Sequence, residues 1–449
     1  MNLERVRLGL MAAIAATCLV SIFAAHVLLS LAIVLHLVRL VTRRARLERL
    51  PLDGPILAFS VWTLLSASFS ANPLASHDSA KKLVLFALLY LALDAFGNEQ
   101  ERERIMDGAL LGGVVLAADS LFQYYFLGFD TLNNRPRSFL GHYMTASGLC
   151  MGVLVVAVAR LLFARRIEAP SRLDWSRLAL LAGVLVFLTG LQAADLFALE
   201  GERMFVAALS ATAAAMALSR GPWPGPATGP FLAMVAIPVS AWALLISRTR
   251  GAWLGTLVGL GVIAVLRAPR LLWALPAGVA GILILRPAPV IDRLTLNDES
   301  SRDRIYMWQA GIDMIADKPV FGQGPGMIQA AYPRYRWPEA PNPTTPHLHD
   351  NALQIAAERG LPCLAWWLWL VAAAMGDAYR ETRRATGLWN GAREQPPWGA
   401  AAALGLLSAV MVSGLFEYNF GDSEILMFTL LVAALPYSLR SERARACVS

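Results

Sequence analysis

Apolar runs of 15 to 24 residues, separated by short polar knots, fill most of this chain. A helix of about 20 apolar residues matches the hydrocarbon core of a bilayer. The pattern therefore predicts membrane-spanning helices near 8–22, 24–41, 52–69, 81–96, 105–127, 143–163, 178–193, 203–219, 231–247, 251–267, 270–285, 361–380, 399–416 and 422–439, or twelve if short pairs merge. One interval breaks the pattern. Residues 286–360 are polar, about 75 positions carrying arginines, glycines, prolines and histidines. The chain thus divides into helices over 1–285, a large loop over 286–360 and helices over 361–449.

Composition sharpens this to an all-α polytopic integral membrane protein. The chain is 57% hydrophobic and 16% charged, with a mean hydropathy of +0.51. Soluble domains carry about 25% charge, and a soluble helical solenoid would show amphipathic stripes instead. Net charge is +7, almost wholly arginine, with lysine only at Lys81, Lys82 and Lys318. No basic stripe interleaves with aromatics, so nucleic acid is not an expected partner. Cys18, Cys150, Cys363 and Cys447 form no Cys-x-x-Cys pair, which argues against a disulfide framework or zinc site. The N-terminal run from Val6 lacks a small-residue cleavage site and reads as a retained span.

Arginine asymmetry sets the orientation. Segment 39–49 holds five arginines, and 160–177, 267–270, 380–393 and 440–445 are also basic, with 99–104 charged. All share one face if both termini are cytoplasmic. The opposite face then carries 70–79, 126–143, 192–203, 247–251, 286–360 and 417–423. Arg135, Arg137, Arg248, Arg250, Arg302 and Arg304 lie on that outer face, against the rule. Topology gains nothing from them. A guanidinium fork is well suited to phosphate, and charge beside hydrocarbon is costly unless it serves a function. Snorkelling to lipid headgroups is the plainer alternative.

Within the loop, Ser300 or Ser301 is placed to cap a helix starting near Arg302. Ile305, Trp308, Ile312 and Ile315 would then form its apolar stripe, against the bundle or the interface. Arg302 and Arg304 would join the free N–H groups of its first turn, a setting for an anion. The helix stops before Pro319. Gly322-Gln323-Gly324-Pro325-Gly326 lacks the strand and helix of a dinucleotide fingerprint and reads as a tight turn. Five prolines between Pro333 and Pro346 predict an extended, irregular crossing. His349 precedes a short helix, 351–359, closed by Gly360 and Pro362. A histidine there can take a proton near neutral pH. Asp350 and Glu358 are candidate partners, and His347 is a rival. No Asp-x-Asp pair, nucleophile elbow, Walker motif or His-Glu-x-x-His occurs. Acidic residues are scarce in the outer loops, so no metal is expected. A transporter would want charges inside the spans or broken mid-membrane helices; neither it nor a non-catalytic scaffold accounts for the loop as well.

Three elements in order carry a resemblance: Ser247-Arg248-Thr249-Arg250-Gly251; Arg304-x-x-x-Trp308 with Pro319-x-x-Gly322-x-Gly324-x-Gly326; and His349 with Gly360 eleven residues on. Together they resemble the O-antigen ligase and polymerase superfamily of bacterial inner-membrane glycosyltransferases, over most of the chain. The family often has Asn, Ser or Gln after the histidine; here Asp350 follows, with Asn351 next. The resemblance implies a GT-C-like membrane glycosyltransferase with short helices in a large periplasmic loop. Within the superfamily it points to the ligase. Such an enzyme moves O-antigen from undecaprenyl pyrophosphate to a sugar hydroxyl of lipid A–core, inverting the anomeric carbon without metal or cofactor. Carried over, His349 would activate the acceptor and Arg250 and Arg304, with Arg302 and Arg248, would bind pyrophosphate. Arg135 and Arg137 would be secondary contacts. O-antigen polymerase and protein O-oligosaccharyltransferase activities share the donor and stand as alternatives.

Overall fold

The computed structural model describes residues 3–45, 48–163, 228–273, 276, 280, 299–385 and 398–446. Regular structure among them is helical: α1 (Leu3–Thr17), α2 (Ile22–Val41), α3 (Asp53–Ser68), α4 (Pro73–Ala80), α5 (Ala87–Ala95), α6 (Glu99–Phe126), α7 (Tyr143–Leu162), α8 (Thr228–Ile246), α9 (Arg250–Arg267), α10 (Glu299–Asp317), α11 (Ile328–Tyr335), α12 (Asn351–Ala385), α13 (Trp398–Ser413), α14 (Ser423–Ala433) and α15 (Leu435–Ala446), with short 3-10 turns between some of them. Among the described residues, six stretches are long and apolar enough to cross a membrane: Ile22–Val41, Glu99–Phe126, Tyr143–Leu162, Arg250–Arg267, Asn351–Arg384 and Ser423–Arg440. Leu232–Ile246 and Trp398–Ser413 are shorter apolar helices. The expected spans 178–193 and 203–219, and most of 270–285, lie outside the described residues. The run at 81–96 differs from expectation, because a 3-10 turn over Lys81–Phe86 precedes the nine-residue α5.

The exterior explains the composition. Val27, Leu31, Val34 and Leu37 on α2, and Leu57, Val61 and Leu64 on α3, are exposed. Such a surface suits lipid, not water. The chain is an all-helical, multi-pass membrane protein.

Small residues hold the helices together where the apolar effect between helices is absent. Gly251, Gly255 and Gly259 recur every four residues on α9 and face Ser413, Ala409 and Gly405 on α13. A Cβ at Gly255 would meet the Ala409 carbonyl at 2.5 Å, and one at Gly259 the Gly405 carbonyl at 2.9 Å. On α6, Gly108 and Gly112 lie equally close to Ala12 and Ala16 of α1. These backbone approaches fix which helix ends come together.

The two ends of the bundle differ. At one end Arg39 pairs with Asp94 and Glu4, Arg160 with Glu103 and Asp107, and Arg440 with Asp377. The other end carries 299–350 as a folded cap, not a structureless loop. Met307, Ala310 and Met314 of α10 close a small core with Ile328, Tyr332, Leu348 and Ala357. Of the expected stripe, Ile315 packs on this core, while Ile305 and Ile312 are exposed, as a face lying in the membrane interface would be. Pro333 lies inside α11, so the irregular crossing begins only after Tyr335.

Candidate active site

The glycine run docks the cap onto the histidine-bearing helix. The Gln323 N–H donates to the Ala357 carbonyl at 2.9 Å, and the Gly324 N–H to the Glu358 carbonyl at 2.8 Å. Gly324 has φ +107°, and its Cβ would meet the Ser70 side chain at 2.3 Å. Gly360 breaks α12 at φ +81°, and a Cβ there would lie 2.0 Å from the Val320 carbonyl. Neither position admits a side chain. The Leu361 N–H then donates to Pro319 at 2.8 Å as α12 resumes. The glycine motif and the histidine motif are therefore one packed unit, and the tight-turn reading of 322–326 holds.

His349 sits at its edge with φ +53°, a left-handed conformation that costs a non-glycine residue free energy. Its neighbours over-determine it. The Leu348 N–H donates to Gln354 Oε1, and the Leu353 N–H to Asp350 Oδ1, each at 2.7 Å. The Asn351 N–H donates to the Gly414 carbonyl at 2.7 Å, and Asn351 Oδ1 accepts from the Phe420 N–H at 3.0 Å. Asn351 thereby clamps the turn between α13 and α14 beside the histidine.

That turn supplies Glu417. His349 Nδ1 lies 3.3 Å from Glu417 Oε2, and His347 Nε2 lies 4.0 Å from Glu417 Oε1. The two imidazoles meet edge to face at 4.2 Å. Burial alone would raise the Glu417 carboxyl. The hydrogen bond and charge of His349, then the charges of His347 and Arg304, outweigh it and hold the group below the ordinary carboxylate range. Burial, then the charge of His349, pushes His347 down to about 4. His142 is also lowered, mainly by burial. At neutral pH the arrangement is one carboxylate facing neutral His347.

A cleft of about 270 Å³ opens over these groups, lined by His142, Tyr143, Asp303, Arg304, His347 and His349 among others. The expected residues divide around it. Arg304, His347 and His349 line it. Arg135 stacks its guanidinium on Tyr143, a lining residue, at 4.1 Å. Arg250 opens α9 next to Gly251, whose Cβ would lie 3.0 Å from the side chain of Phe416, the neighbour of Glu417. Arg248 is buried with φ +55° and donates to the Asp130 carbonyl. Arg302 and Arg137 are exposed, the latter over the Phe129 ring.

One expectation needs correction: because α10 already runs from Glu299, Arg304 stands in its second turn and not beside the free N–H groups of the first. Asp350 accepts from the Leu353 N–H as a helix cap. Glu358 accepts from the Gly326 N–H at 3.0 Å and from Gln354, and pairs with Arg359. Glu417, His142 and Tyr143 were not anticipated. The available signal for Glu417 was a cluster of acids, Glu417, Asp422 and Glu424, between two apolar runs.

No curated protein matches the chain. Residues 232–368, which hold Arg248, Arg250, Arg304, His347 and His349, match the family model Wzy_C, O-antigen ligase.

Proposed function

We propose that the chain is an O-antigen ligase. It transfers O-antigen polysaccharide from undecaprenyl pyrophosphate to a sugar hydroxyl of lipid A–core, on the periplasmic face of the bacterial inner membrane. Residues 286–360 form the periplasmic unit between the helical segments 1–285 and 361–449. The observation that carries this reading is the meeting of Arg304, His347 and His349 in one cleft at the ends of apolar helices, with Glu417 beneath. A polyprenyl tail needs lipid while its diphosphate needs charge, and a cleft at helix ends supplies both.

His349 is the acceptor's base in this account. A carboxylate only accepts hydrogen bonds, so the hydrogen of the His349–Glu417 contact belongs on Nδ1 and the lone pair on Nε2. As the acceptor oxygen bonds to the anomeric carbon, its proton moves to Nε2 and the carbon–phosphate oxygen bond breaks, inverting the centre. Glu417 is a positioning residue that fixes the tautomer and steadies the imidazolium. Arg304 and Arg250 meet the charge that develops on the departing pyrophosphate, with Arg302, Arg248, Arg135 and Arg137 as secondary contacts. No metal is needed in these steps.

Purified chain, lipid-linked glycan and lipid A–core test the reaction. Ligated lipopolysaccharide is expected; longer lipid-linked chains would instead assign a polymerase. Sidedness is tested by a cysteine at the exposed Ala330, which should react with an impermeant reagent from the periplasm.

A further inference from the structure

His347, His349 and Glu417 offer one nitrogen or oxygen each within 4.8 Å of one another. We propose that this trio is an inhibitory binding site for a divalent transition metal of the zinc class. It rests on the proposed role of His349 as base.

Zinc takes imidazole nitrogen and carboxylate oxygen at about 2.0–2.2 Å, which places tetrahedral ligand atoms about 3.3 Å apart. His349 Nδ1 and Glu417 Oε2 are already 3.3 Å apart, and His347 Nε2 is 4.0 Å from Glu417 Oε1. With one donor atom from each residue within 4.8 Å of the others, turns of the His347 ring and of the carboxylate would close all three on one ion. The fourth position is left for water, toward the cleft that both histidines line. Nitrogen donors with one carboxylate select zinc, copper or nickel over magnesium or calcium.

Occupancy has a definite chemical consequence. A metal on His349 Nδ1 displaces the proton that Glu417 holds there, and a neutral imidazole then carries its hydrogen on Nε2. The lone pair that would accept the acceptor's proton is gone, and Glu417 is engaged by the ion. Bound metal therefore stops transfer instead of supporting it.

The test is zinc titration of the full-length protein in detergent, followed by calorimetry without donor or acceptor. One zinc per chain is expected. Glu417→Gln and His347→Ala should each weaken it by about tenfold or more, whereas substitution of the exposed His77 should not. Gel filtration checks that each variant remains folded. Failure to bind zinc stoichiometrically, or binding that both substitutions leave unchanged, would overturn the site. In the transfer assay zinc should inhibit and chelator restore activity; activity lost on chelation and returned by zinc would overturn the inhibitory role. Because affinity is read without substrates, absence of ligase activity leaves the binding result standing.

Discussion

The two ends of the helix bundle use the same residue type for opposite purposes. At the end bearing Arg39, Arg160 and Arg440, the guanidiniums meet carboxylates directly, and several partners are almost fully buried. That end has its own cleft of about 300 Å³, against His36, Arg43, Arg44 and Asp94. Its charge is largely spent on ion pairs that tie α1, α2, α5, α6, α7, α12 and α15 together. At the histidine end Arg135 lies on an aromatic face, Arg248 on a carbonyl, and Arg304 beside a cleft shared with two neutral histidines. The contrast teaches that burial of charge alone does not mark a site. What marks it is charge held in place around an opening.

Substitutions should separate the two ends. The largest effect is expected from His349→Asn, chosen because Asn tolerates a positive φ. Transfer should fall by about 10²–10⁴-fold, with the unfolding temperature unchanged. Arg160→Ala should do the reverse. It leaves Asp107 and Glu103 without their partner in a buried setting and should cost about 3–5 kcal/mol; thermal unfolding in detergent would show it, while activity per folded molecule stays near wild type. If Arg160→Ala abolished transfer in fully folded protein, the division of labour would be wrong. Gly324→Ala should detach the cap from Ser70 and α12, costing about 1–3 kcal/mol and raising proteolysis between 299 and 350.

The smallest effect concerns pH. The His347 ring titrates near 4 in the fold against an ordinary 6.5. The unfolded chain therefore takes up this proton first as pH falls. The stability at stake is fully present above pH 6.5 and is lost as pH falls through 4. Unfolding temperature should drop across that window in the wild type, and less steeply in His347→Gln.

Much of this was legible in the chain. Apolar runs located α2, α6, α7, α9 and α12 because span length is dictated by the bilayer. The glycines at 322, 324 and 326 announced a tight turn. Glu417 was hidden because it lies 68 positions from His349 and meets it only once the chain is folded, with the Asn351 clamp holding the turn in place. The stripe of α10 told only part of the story, because the cap also buries Met307, Ala310 and Met314 on another face of the helix. A smaller signal went unused: the Gly251, Gly255 and Gly259 repeat foretells a close helix pair, and that pair carries Arg250 to the turn of Glu417.

Binding of undecaprenyl pyrophosphate to Arg304→Gln and to Arg440→Gln tests the central claim most directly, because the two arginines sit at opposite ends. The account predicts affinity weakened about tenfold or more at Arg304, the scale of a lost charged hydrogen bond, and unchanged at Arg440. Wild-type affinity in Arg304→Gln, or equal losses in both variants, would contradict it.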